Sequence, residues 1–158
     1  MKTVQIRPFF FAFESDFVDT LKCVPMVVRY KLDSCGVKLK LHEWVKFSVQ
    51  QKQTLAFMDC YTESEVLDYG QFVKKLVLEK FHYDASLLTE INDSWNTLHQ
   101  VPDEVQEKAR EWNCQPLTLK QWINLDTLQR FALVKLSRSG HEGRNFPVAL
   151  AEFNIDQV

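Results

Sequence analysis

Glycine is scarce in this chain, four residues in 158, which leaves little material for the glycine-rich loops that cradle phosphates. No apolar run approaches the roughly eighteen residues that a membrane-spanning helix needs. Basic charge is not in excess either. Nineteen Lys and Arg stand against twenty-one Asp and Glu, for a net charge of −2, which argues against a general nucleic-acid binder. The four cysteines, Cys23, Cys35, Cys60 and Cys114, form no CxxC pair, so zinc ribbons and thioredoxin-type sites lack their signature. No HExxH spacing, no GxSxG elbow and no local Cys–His pattern occurs. Catalytic residues, a metal site and a cofactor are therefore not expected. The start, MKTVQIRPFFFAFESDF, has the outline of a signal peptide, but Arg7 and Pro8 interrupt it, and Glu14 and Asp16 follow a short apolar run. The expectation is a cytoplasmic protein with free, buried thiols.

What is present is ordinary globular composition, 46% hydrophobic and 25% charged, with twelve Phe and four Trp for an aromatic core. The length suits one domain. Self-similarity is the strongest internal signal. At an offset of 77 positions, Val24, Pro25, Val28 and Lys31 meet Val101, Pro102, Val105 and Lys108. At 78, Leu39, Leu41, Trp44, Gln51 and Leu55 meet Leu117, Leu119, Trp122, Gln129 and Leu133. Val45 opposite Ile123 and Lys52 opposite Arg130 are conservative pairs. Both copies read alike: a helix with Pro25 or Pro102 in its first turn, a short helix carrying the Trp, then a helix capped by Ser48 or Asp126. Gly36 stops the first helix, and Thr118 caps the second copy's short helix.

After the first copy, TESE (Thr62 to Glu65) is a capping box opening a long amphipathic helix to about His82, in which Gly70 is a local weakness. After the second, RNFPVALAEF forms a shorter helix with Pro147 in its first turn. The expected fold is all-α: a single compact domain of two pseudo-repeated helical units packed face to face. The first half runs from about 9 to 82, a polar connector anchored by Trp95 spans 83–100, and the second half covers 101–155. Helix-turn-helix spacing from Leu119 to Leu136 mimics a DNA reader, but TLKQWINLDTLQRF has two cations, and its apolar positions are expected in the core.

The loop LSRSGHEGRNF, residues 136–146, gathers Arg138, His141, Glu142, Arg144 and Asn145. Its counterpart in the first copy, near 57–67, joins two helices with no His or Arg, so the architecture does not require this cluster. Glu142 suits a helix N-terminus, Arg138 a C-terminus, and Asn145 an N-cap. Arg144 runs against the helix dipole, and together with Arg138 it can clamp a carboxylate or phosphate. A second charged stretch near the N-terminus holds Glu14, Asp16, Arg29, Lys31 and Asp33. It reads as a solvated helix face with local ion pairs. The other reading is that Glu14 or Asp16 meets Arg138 or Arg144.

FESDFVDTLKCVPMVVRYKLDSCGVKL, Trp44 and, above all, LQRFALVKLSRSGHEGRNF resemble the conserved nitrate reductase-associated proteins, over about Phe11 to Phe153. Ser139 and Gly143 depart from the pattern, where members often carry Pro and a polar residue. The resemblance implies a small accessory protein of nitrate assimilation. Its implied partner is a molybdopterin-dependent nitrate reductase or a molybdenum-cofactor maturation factor, with no nucleic acid and no membrane. It supplies no catalytic residues. Arg138, His141, Glu142, Arg144 and Asn145 match its C-terminal pattern; Glu14, Asp16, Arg29, Lys31, Asp33 and Cys35 match its N-terminal one. The expected function is non-enzymatic protein binding, with a carrier of a pterin or other small anion as the alternative.

Overall fold

The structure, a computed structural model, describes residues 10–14, 21–90, 92–139 and 142–155. The chain gathers into two compact units, one within 5–91 and one within 92–158. In the first, a 3-10 turn (Ala12–Glu14) precedes α1 (Met26–Cys35), β1 (Val37–Lys38), α2 (Leu41–Lys46), α3 (Val49–Phe57), α4 (Glu63–Phe81) and β2 (Ser86–Leu87). In the second, a 3-10 turn (Ser94–Asn96) precedes α5 (Asp103–Glu111), α6 (Leu119–Asn124), α7 (Thr127–Arg138), a 3-10 turn (Glu142–Asn145) and α8 (Phe146–Glu152). The protein is thus mostly α-helical.

Local chemistry sets these boundaries. Pro25 and Pro102 sit one residue before their helices, not inside the first turn as expected. Each has an extended backbone, and its carbonyl accepts the first helical N–H bonds, at 3.0 Å from Val28 and 3.0 Å from Val105. Ser48 and Asp126 both cap reciprocally: Gln51 N donates to Ser48 Oγ (3.0 Å) and Gln129 N to Asp126 Oδ1 (2.8 Å), while each Gln amide takes the cap's own N–H. Thr118 and Gln121 do the same for α6. At the matching start of α2, Lys40 has no oxygen to offer, so only the reverse half forms, Lys40 N to Glu43 Oε1 at 2.8 Å. Thr62 and Glu65 cap α4. Gly36 ends α1 in the left-handed region, φ 74°.

Within the first unit α1 packs on α3, α4 and β1, burying Val28, Leu32, Leu55, Tyr69, Val73 and Val77. Gly70 is no mere weak point. A Cβ there would stand 3.3 Å from Cys35 Cβ, so its absence lets α4 approach α1 closely. Within the second unit α7 packs on α5, α8 and both 3-10 turns, burying Val105, Phe131, Leu133, Phe146 and Leu150. Trp95 is buried edge-on against Phe131, centroids 4.8 Å apart, as an anchor should be. The stretch read as pure connector is partly ordered: Ser86–Leu87 pairs antiparallel with Val37–Lys38. Two-residue strands are too short to show alternation.

Each unit hangs its short helix on one tryptophan. Trp44 and Trp122 are fully buried, and their indole N–H groups donate to Leu21 O (2.8 Å) and Thr97 O (2.7 Å). Replacing either by Phe orphans a carbonyl and leaves a void, which should cost ~2–3 kcal/mol at each site. Urea unfolding of Trp44→Phe and Trp122→Phe checks this; a near-neutral change in either would remove that anchor from the account.

Candidate functional site

Arg138 ends α7, where its cation suits the carbonyl end of the helix. Its guanidinium is nonetheless turned to a distant partner: Nε donates to Glu104 Oε1 at 2.7 Å and Nη2 to Glu104 Oε2 at 3.1 Å. Ser94 Oγ donates to the same carboxylate at 2.8 Å, and Arg138 Nη2 also reaches Asn92 O and Ser94 Oγ, each at 3.4 Å. A forked pair is thereby built between α7, the start of α5 and the 94–96 turn. Burial acts to raise the Glu104 pKa, but the hydrogen bonds from Arg138 and Ser94 and the Arg138 charge outweigh it and hold the carboxyl below its ordinary value.

The rest of the loop is placed differently. Gly143 is buried, and a Cβ on it would meet Lys108 Nζ at 3.3 Å and Leu136 O at 3.7 Å, so an added methyl would press on the Lys108 ammonium and make ordinary contact with Leu136. Arg144, the next residue, is exposed. Among the described residues it makes no hydrogen bond or ion pair. Asn145 precedes α8 but does not cap it with its side chain. Its backbone is already helical (φ −82°, ψ −6°) because the 3-10 turn runs straight into α8, whereas a capping side chain needs an extended backbone to fold back. His141 and the Glu142 side chain lie outside the described residues.

Two of the N-terminal candidates, Glu14 and Lys31, are buried and not on a solvated face. Glu14 is 1% exposed and accepts from Phe11 N (3.0 Å) and Met26 N (2.7 Å), closing the start of α1. Lys31 is also 1% exposed; its ammonium donates to Ala56 O (2.8 Å) and Met58 O (2.6 Å), closing the end of α3. The Tyr61 and Tyr69 rings stand 5.7 and 5.9 Å from that nitrogen. Burial pulls the Lys31 pKa down to about 8, against the charges of Cys60, Asp59 and Glu65. Burial likewise pushes the Cys60 thiol and the Tyr61 hydroxyl up to about 12. Arg29 Nε donates to Val24 O at 2.9 Å, and Asp33 is half-buried. Asp16 lies outside the described residues. Among the described residues no group of three His, Cys, Asp or Glu side chains is placed to hold a metal ion, and no helix is long and apolar enough to cross a membrane.

The family described as conserved nitrate reductase-associated protein matches residues 10–153. The chain belongs to this family. Comparison with curated proteins and with solved structures returns no match. In this nitrate reductase-associated chain the two family patterns therefore divide. Glu14 and Lys31 of the N-terminal pattern bind main chain inside the first unit. Arg138 of the C-terminal pattern ties the second unit together, and Arg144 reaches solvent. Sequence reasoning missed Glu104, Ser94 and Lys108, the partners of the loop, since nothing local marks a contact 34 residues away.

Two outcomes are expected. A double-mutant cycle of Arg138→Ala and Glu104→Ala should give a coupling of ~1 kcal/mol at neutral pH. Because the folded carboxyl pKa is depressed, that coupling persists above the ordinary value of 4.5 and fades as pH falls below it; a pH-independent coupling would contradict the pair. Lys31 has the opposite chemistry. Its folded pKa is depressed below 10.5, so the unfolded chain binds more protons from about pH 8 to 10.5. Wild type should therefore gain stability relative to Lys31→Met as pH rises through that window, by a few kcal/mol at most. Thermal melting of both proteins checks it, the rising Cys60 and Tyr61 ionisation being common to the two.

Proposed function

We propose that this protein is a non-enzymatic accessory of nitrate assimilation, acting in the cytoplasm, that binds nitrate reductase or a factor maturing its molybdenum cofactor. Family membership gives the association with nitrate reductase. The observation that supports a binding role is the contrast between the two arginines of one loop: Arg138 is committed to Glu104, and Arg144 is exposed with no partner among the described residues. A guanidinium held in water beside a buried glycine is ready for a carboxylate or phosphate on another molecule. The other charged candidates support the same reading from the opposite side. Glu14 and Lys31 hold backbone groups, as does Arg130 in the second unit, which is structural work.

The carrier reading needs both arginines on one anion. Arg138 is already forked onto Glu104, so a pterin phosphate would find one arm of the clamp occupied.

Arg144→Glu should leave the thermal midpoint nearly unchanged, since the side chain is exposed and makes no hydrogen bond or ion pair among the described residues, and should weaken binding to nitrate reductase at least tenfold by reversing the contact charge. Arg138→Ala should lower the midpoint and reduce binding only as far as the fold loosens. Titration of the purified reductase against each variant measures both. Full binding by folded Arg144→Glu would overturn the proposal.

A further inference from the structure

A second surface lies in the first unit, on α2. Leu41 and Val45 stand one turn apart on its outer side, 58% and 46% exposed, and Val49 at the start of α3 is 59% exposed. The core side of the same helix is committed, with Glu43, Trp44 and Phe47 all buried. Single exposed apolar residues are ordinary. This pair is not single: at the matching positions of α6, Leu119 and Ile123 are also exposed, although the periodicity of that segment pointed them to the core. The same two places on both short helices are kept apolar and outward.

Charge decides what kind of partner suits α2. Lys38, Lys40, His42 and Lys46 are exposed around Leu41 and Val45. Among the described residues the three lysine side chains enter no ion pair. The helix carries one acid, Glu43, and it faces inward: Oε1 accepts the Lys40 N–H and Oε2 accepts the Tyr83 hydroxyl at 2.7 Å. The one carboxylate of α2 is thus turned away from the exposed cations. On α6 only Lys120 accompanies the apolar pair. A short apolar strip edged by cations matches an amphipathic segment whose apolar side chains seat on the strip and whose carboxylates meet the lysines. A lipid surface would ask for a longer helix with a larger apolar face.

We infer that the outer face of α2, Leu41, Val45 and Val49 edged by Lys38, Lys40 and Lys46, is a docking surface for an acidic, apolar-anchored segment of a partner protein. It is separate from the Arg144 contact and stands whether or not that contact, or nitrate reductase itself, is the partner.

The test places a benzophenone photo-crosslinking side chain at position 45 of the full-length protein, in the cells that make it, and sequences the attached peptide by mass spectrometry. The expected attachment is to a protein segment in which Asp and Glu outnumber Lys and Arg, with apolar residues within one helical turn. The yield should fall about tenfold in a Lys40→Glu, Lys46→Glu background. Attachment to lipid, to a basic or neutral segment, or to a second copy of this chain would overturn the inference. So would a yield no greater than that from position 75, which is an exposed lysine on α4.

Discussion

Among the described residues, three of the buried charged side chains hold main-chain groups that would otherwise end helices or loops without a partner, and the architecture depends on that match. Glu14 takes the first N–H of α1, Lys31 takes the last carbonyls of α3, and Arg130 holds the carbonyls of Trp95 and Leu125. Short helices leave a large share of their backbone groups at unsatisfied ends, and a buried end without a partner costs free energy on the order of a lost hydrogen bond or more. The nine-residue α3 has its C-terminal end closed in this way, by Lys31 from α1. The tryptophan N–H groups do the same for the loops at Leu21 and Thr97.

This sorting of charge bears on function. A buried side chain that already holds backbone groups is kept from a partner by its burial. That removes Glu14, Lys31 and Arg130 from the recognition surface. Arg138 follows them through its fork onto Glu104. Arg144 in one unit, and the lysines around the outward Leu41 and Val45 in the other, are exposed and in no ion pair among the described residues, which is why they are the ones proposed for recognition. The proposed docking role needs such uncommitted surface more than a pocket, because affinity between proteins comes from a few anchors and a charge pattern.

Much of the helical frame was legible in the sequence because its signals are local. The N-caps Ser48 and Asp126 and the capping box of Thr62 with Glu65 form as expected, and the buried positions of α4 follow helical spacing through Tyr69, Val73, Leu76 and Val77. The paired strands were hidden, since two residues show no period. The charged positions were the least legible. Glu14 and Lys31 looked like a wet face because composition cannot reveal a carbonyl 25 residues away. Leu119 and Ile123 looked like core for the converse reason: helical spacing marks an apolar stripe and says nothing of which side has a neighbour. For the same reason Arg138 and Arg144 read as one clamp, when a single distant glutamate separates their roles.

The division of the arginines can be observed directly, through the exchange rates of guanidinium Nε–H protons with water by nitrogen-15 NMR at neutral pH. Arg130 and Arg138, whose Nε–H groups donate to Trp95 O and Glu104, should exchange slowly, and Arg144 at the rate of a solvated side chain. An Arg144 proton as protected as theirs, or an Arg138 proton exchanging as fast as a solvated one, would contradict the account.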